Sequence, residues 1–253
     1  KACDHILVLF PFETPLYEQQ GIPATYVGHP LADDIPFTPP TQESRIALGC
    51  VKSSHVFTLL PGSRNSEVHY HADLMVQTAK RLFEKYPNAC FPVPTATKNT
   101  RRLFETAIVR NCATHIPFLI LNGQSKIALS AADVVIVASG TATLEAALWK
   151  KPMVITYRLS WLTWQIARKM VRLHHVGLPN ILCKENIVPE YLQDQATPDN
   201  LFKATVEWVE HPEKVKTTIR RFDHLHQQLK QNASETAANT IVHFLEKHSS
   251  PTE

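Results

Sequence analysis

The chain has 253 residues, enough for one large domain or two smaller ones. Hydrophobic residues make up 44% and charged residues 19%, which is a globular and not a disordered composition. Lys and Arg total 26 against 23 Asp and Glu; the resulting +3 is too small to point to nucleic acid, though it suits a weakly basic patch facing an anionic surface.

The apolar runs are too short for a membrane-spanning helix. The chain starts at Lys1 with no initiating Met and no signal-peptide pattern, which reads as a processed or partial chain. Ile6–Phe10 is expected as a buried strand and Thr25–Val27 as a shorter one. Pro30, Pro36, Pro39 and Pro40 then mark a linker, because proline lacks an N–H and biases the preceding residue to extended geometry.

Beyond that segment strands and helices alternate. Val56–Leu60, Ala89–Val93, Phe118–Leu121, Val134–Ala138 and Met153–Thr156 read as strands. Between them, Ser66–Tyr86, Asn99–Asn111, Ser125–Ala131 and Thr141–Trp149 read as helices. Continuously apolar strands alternating with helices predict an α/β fold, a doubly wound parallel sheet of Rossmann-like type. From Asp199 onward only helices are expected, with Glu213–Asn232 and Ser234–Lys247 amphipathic.

Two segments carry ligand-binding chemistry. In Leu59–Val68 (LLPGSRNSEV) a strand ends, Gly62 allows a tight turn and a helix begins, so backbone N–H groups and the positive helix end face one point. Ser63 offers a hydroxyl, and Arg64 a guanidinium able to hold a diphosphate through two parallel bonds. A capped helix start with a solvated Arg is an equally good reading of this segment alone. In Ala138–Glu145 (ASGTATLE) Gly140 again meets a helix start, with hydroxyls on Ser139, Thr141 and Thr143. Glu145 is placed to accept from a ribose diol, or simply to complement the helix dipole. Two such loops at strand carboxyl ends match where open α/β sheets bind ligands. Neither loop is a G-x-G-x-x-G or a Walker sequence, which argues against a dehydrogenase or a P-loop NTPase.

A third segment, Tyr157–Leu182, has a helical stripe of Leu162, Ile166, Met170 and Leu173. Trp161 and Trp164 lie off that stripe near Arg168, Lys169 and Arg172, a set that suits an anionic membrane surface or a lipid. An amphipathic helix packed on the sheet explains the same spacing. Gly177–Asn180 is expected as a rigid loop, with Asn180 available to a sugar or phosphate.

The five cysteines are scattered and show no C-x-x-C, so they are expected as reduced thiols. The densest His pairs are His69 with His71, His174 with His175, and His224 with His226. There is no H-E-x-x-H, D-x-D or G-x-S-x-G, so neither a bound metal nor a Ser nucleophile is expected.

Taken together, FPFE (Phe10–Glu13), GHPLAD (Gly28–Asp33), LLPGSRNSEV, ASGTATLE, PMVITYR (Pro152–Arg158), the LPN of Leu178–Asn180 and the tail LHQQLKQNASETAA (Leu225–Ala238) resemble one family. That family is the lipid-A-disaccharide synthases, glycosyltransferases of GT-B fold, and the matches run in order over nearly the whole chain. The resemblance implies a remnant of an N-terminal acceptor domain at 1–29, a Pro-rich linker at 30–42, a UDP-sugar donor domain at 43–212, and helices at 213–253 returning toward the N-terminal domain. It implies inverting hexosyl transfer from UDP-2,3-diacylglucosamine to 2,3-diacylglucosamine 1-phosphate, with no metal or other cofactor.

The implied donor-site residues are Gly62, Ser63, Arg64, Ser139, Gly140, Thr141, Glu145 and Asn180, with Arg64 on diphosphate, Glu145 on ribose and Asn180 near the sugar. The general base is expected in the N-terminal part that this chain lacks, so the chain alone is expected to be inactive. Peripheral attachment to the cytoplasmic face of the inner membrane follows from acylated substrates; a homodimer is left open. Two alternatives stand: a non-catalytic UDP-sugar-binding module working with a separate acceptor-binding partner, and another GT-B enzyme acting on UDP-GlcNAc.

Overall fold

The computed structural model describes residues 3–159 and 175–248. The chain divides into two compact units, one drawing on the stretch up to Phe37 and that from Asp223 onward, the other running from Thr38 to Phe222.

The smaller unit opens with β1 (Ile6–Val8), α1 (Thr14–Glu18), β2 (Ala24–Tyr26) and α2 (Pro30–Asp34). β1 and β2 pair in parallel, Ile6 opposite Ala24. FPFE makes the turn after β1: the Phe10 N–H donates to the Glu13 carboxylate at 3.0 Å. Part of the segment expected as a linker is helical. Pro30 occupies the first turn of α2, where a missing N–H costs nothing, and His29 accepts from the Leu31 N–H to cap it.

The larger unit contains α3 (Thr41–Ala47), β3 (Phe57–Leu60), α4 (Asn65–Lys85), β4 (Phe91–Thr95), α5 (Lys98–Arg110), β5 (Phe118–Asn122), α6 (Ser125–Ala131), β6 (Val134–Ala138), α7 (Thr141–Leu148) and β7 (Met153–Tyr157). It continues with α8 (Leu178–Cys183), β8 (Glu190–Leu192) and α9 (Pro198–Glu210). All strand pairs are parallel, in ladders β3-β6-β7-β8 and β4-β5. A bridge between Val56 and Cys90 joins the two, giving the order β5-β4-β3-β6-β7-β8. The order reverses direction at β3/β6, as in a Rossmann-like sheet.

The weak β3–β4 junction has a cause in the sequence. Cys90 donates to His55 O and accepts from the Phe57 N–H, so even-numbered residues of β4 face β3. Pro92 and Pro94 occupy the next positions on that side and have no N–H to give. The opposite side of β4 pairs with β5 over its whole length.

β3 and β6 are buried at every residue, which is why they read as uninterrupted apolar runs. β8, by contrast, is a half-buried edge strand of three residues and has no such run. The rigid loop expected over Gly177–Asn180 is the start of α8, with Gly177 as the residue before the helix and Pro179 in its first turn. Trp161, Trp164, Arg168, Lys169 and Arg172 lie outside the described residues. Among the described residues no helix is long and apolar enough to cross a membrane.

The chain closes with α10 (Pro212–Leu229) and α11 (Ala233–His248). Within the smaller unit, GHPLAD binds the α10–α11 turn. Gly28 is at φ +86°, and a Cβ there would meet Gln231 Cβ at 2.5 Å. The His29 N–H donates to Leu229 O, and the Asp33 carboxylate accepts from the Asn232 and Ala233 N–H groups at the start of α11.

Candidate functional site

At the carboxyl ends of β3, β4, β6 and β7 lies a cleft of about 520 Å³. Gly62, Ser63, Arg64, Ser139, Gly140, Thr141 and Glu145 all line it, together with Glu67, Ser125 and Tyr157. Seven of the eight residues singled out for ligand binding therefore converge, from segments about 80 residues apart in sequence.

The first loop is held by Glu67. Its Oε2 accepts from the N–H groups of Ser63 (2.9 Å) and Arg64 (3.2 Å), and its Oε1 pairs with the Arg64 guanidinium at 3.0 Å. Gly62 is at φ +117°, and a Cβ there would lie 2.4 Å from Glu67 Cβ, so only glycine lets that carboxylate fold back over the loop. The Arg64 side chain is 80% exposed. Such an ion pair is worth about 0–1 kcal/mol, so the guanidinium can leave it for an incoming anion at little cost.

One turn further on, His71 is fully buried and joins α4 to the end of β7. The Arg158 N–H donates to its Nε2 at 3.0 Å, which fixes the proton on Nδ1; that proton goes to Glu67 O at 2.7 Å. Burial pulls the imidazole below its ordinary pKa and keeps it neutral. His71 thus serves the framework of the first loop.

In the second loop, Gly140 is at φ +152°. Ser139 donates its N–H to Thr156 O and its hydroxyl to Val176 O at 3.0 Å. Thr143 turns its hydroxyl back on Gly140 O and accepts from the Leu178 N–H, tying α7 to α8. Gly140 and Thr141 are exposed at the mouth of the cleft. The Thr143 N–H donates to Gly140 O at 3.0 Å, so the N–H groups of Thr141 and Ala142 are the ones the start of α7 offers to a ligand. Glu145, half-buried behind them, accepts from the Ser125 hydroxyl at 3.2 Å. Burial raises its pKa, with the Ser125 bond and the Lys126 charge opposing.

Asn180 is a correction. It does not line the cleft and is fully buried. Its Nδ2 donates to Val188 O (2.8 Å) and Glu190 Oε1 (2.7 Å), and its Oδ1 accepts from the N–H groups of Ile187 (3.0 Å) and Val188 (3.1 Å). Its hydrogen-bonding capacity is spent inside the protein, leaving none for a sugar. Glu190 extends the network, accepting from the N–H groups of Val176 and Gly177. Asn180 and Glu190 therefore fix the segment against which Ser139 and Thr143 lean.

Glu67 and Ser125 were not foreseen. Glu67 had a local signal, a carboxylate in the first turn three residues after the residue preceding the helix. Ser125 had none, since it enters the cleft only because β4 and β5 line up on one side of β3.

Solved structures share this fold at low sequence identity. The UDP co-structure of S. aureus MnaA matches with TM-score 0.63 and 12% identity, over 99% of this chain and 62% of that one. Anabaena HepE in complex with UDP and glucose gives TM-score 0.58 and 16% identity, over 95% of this chain and 63% of that one. The paired units and the switch-point cleft place the chain in the GT-B fold class. The model of the lipid-A-disaccharide synthetase family matches residues 1–242, and the chain belongs to that family. Lipid-A-disaccharide synthases of Dechloromonas aromatica and of an Azoarcus species are 47% and 44% identical, over 97% and 99% of this chain. The chain spans 64% of the length of each of these relatives.

Proposed function

We propose that this chain is the donor-binding part of an inverting hexosyltransferase of lipid A biosynthesis. In this reading the longer protein joins UDP-2,3-diacylglucosamine to 2,3-diacylglucosamine 1-phosphate, giving a disaccharide 1-phosphate and UDP. The observation that carries it is the cleft where two glycine–hydroxyl loops, each opening a helix, meet one exposed guanidinium and one half-buried carboxylate. Family membership supports this choice of substrates.

The chemistry follows from the charges. As the acceptor hydroxyl attacks, the anomeric carbon becomes oxocarbenium-like and the diphosphate leaves with added negative charge. Preorganised N–H dipoles at the start of α7 and the Arg64 guanidinium lower that barrier, with no metal needed in this scheme; one such donor is typically worth about 3 kcal/mol. Glu145 accepts from the ribose hydroxyls. The base that takes the acceptor proton is not assigned to any residue of this chain. In this reading, acylated substrates suit a peripheral protein at the cytoplasmic face of the inner membrane.

Calorimetric titration with UDP, with ADP as control, tests the donor site. Saturable UDP binding weakened about tenfold or more by Arg64→Ala is expected, since a hydrogen bond to a charged group is worth about 1.5–3 kcal/mol. UDP binding no tighter than ADP binding in a folded sample overturns the reading.

A further inference from the structure

Cys50 and Cys90 stand 40 residues apart in sequence, yet their sulfurs are 2.7 Å apart. Two sulfurs in mere van der Waals contact lie farther apart than this, and a disulfide bond needs about 2.05 Å. Cys50 follows α3, in the turn that leads into β3; Cys90 is the residue that bridges β4 to β3. The backbone at both sulfurs is pinned. The Cys50 N–H donates to Arg45 O, and Cys90 exchanges bonds with His55 and Phe57. The pair is enclosed by Val56 and Ala131, with Leu48 and Leu119 packed alongside, so no other cysteine competes for either sulfur. Both thiols are buried, at 1% and 5% exposure, but the turn just after Cys50 is open to water, with Val51 52% exposed.

We propose that Cys50 and Cys90 form an oxidative modification site, at which a small hydroperoxide converts the two thiols of the folded chain into one intramolecular disulfide. The balance is complete. The Cys50 thiolate attacks one peroxide oxygen, giving a sulfenic acid and hydroxide, and two electrons pass from sulfur to the O–O bond. The Cys90 sulfur then attacks the sulfenic sulfur; the S–S bond forms, and the S–O bond breaks with loss of water. In sum, two thiols and one hydrogen peroxide give one disulfide and two waters.

The asymmetry of the pair sets the order. The two sulfurs share one hydrogen bond, which lowers the Cys50 pKa, and the nearby Arg45 charge acts in the same direction against burial. The same bond, together with burial, raises Cys90. Cys50 is therefore the attacking sulfur and Cys90 the resolving one. A peroxide is small enough to enter when the exposed turn opens locally.

The test treats the native wild-type chain with hydrogen peroxide at the dose that oxidises the exposed Cys112. After quenching, free thiols are alkylated and the chain is digested without reduction. The expected product is a cross-linked peptide pair carrying Cys50 and Cys90, lighter by two hydrogens than the two thiol peptides and separated by dithiothreitol. In Cys50→Ser, Cys90 is expected to stay a free thiol at the same dose. Recovery of both cysteines as free thiols, as separate sulfinic acids, or cross-linked elsewhere overturns the proposal. So does equal oxidation of Cys90 in Cys50→Ser.

Discussion

Replacing Asn180 separates a structural role from a ligand role. In Asn180→Ala four hydrogen bonds of 2.7–3.1 Å disappear together. Each contributes about 1 kcal/mol net, so the loss is about 4 kcal/mol. The groups left behind lie against a fully buried site, where water does not readily replace the lost partner. A domain of this size has about 5–15 kcal/mol in all, so the variant stays folded with a much narrower margin. With a urea m-value of about 2 kcal/mol/M, the midpoint falls by about 2 M. Urea titration followed by circular dichroism reads this directly. A residue whose work was to touch the donor sugar would leave the midpoint unchanged and weaken UDP-sugar binding alone. A midpoint shift under about 0.5 M refutes the network reading of Asn180.

Gly62→Ala sets a Cβ against Glu67 at a backbone angle that costs about 1–3 kcal/mol, so the loop loses its carboxylate clamp; UDP affinity falls at least about tenfold by calorimetry, and unchanged affinity counts against the clamp. His71 has a folded pKa below its unfolded value near 6.5, so the unfolded chain binds more protons and stability falls as pH drops below about 6.5. Urea midpoints at pH 7 and pH 5 show that fall, and His71→Gln reduces its slope; an unaltered slope refutes the assignment. Glu145→Ala loses the bonds to the ribose hydroxyls, about 2 kcal/mol or about thirtyfold in UDP affinity, but weakens 2′-deoxy-UDP, which keeps only the 3′-hydroxyl, by a smaller factor. Equal losses for both nucleotides remove Glu145 from the 2′-hydroxyl.

What the sequence revealed was what is local. β6 is Val134–Ala138 as expected, because five consecutive buried apolar residues leave no competing pattern. α6 is Ser125–Ala131 as expected. The two glycine–hydroxyl loops were legible because each is a strand–turn–helix junction complete within ten residues. α2 was hidden because Pro30 starts a helix and Pro40 immediately precedes α3 while Pro36 and Pro39 do neither, and proline composition alone does not tell these apart. Asn180 misled because its partners are set by how residues 187–190 return beneath it, and that turn has no signature. The Cys50–Cys90 pair was read as two scattered thiols, since only the β3–β4 neighbourhood brings them together.

The site also shows which parts of the cleft remain for a ligand. Loop one has its Ser63 and Arg64 amides already occupied by Glu67, a negative charge fixed beside the place a phosphate would otherwise seek. Loop two is braced from behind, through Thr143 to Leu178 and through Ser139 to Val176, and these braces consume no N–H at the start of α7. The preorganised donors facing the cleft are therefore those of α7, and the adaptable one is the exposed Arg64 guanidinium. An anion held between a fixed helix end and a guanidinium that has left Glu67 gains two favourable partners while breaking only one weak surface pair. On the proposed function, that asymmetry favours a diphosphate nearer α7 than α4, with Arg64 the residue expected to move on binding.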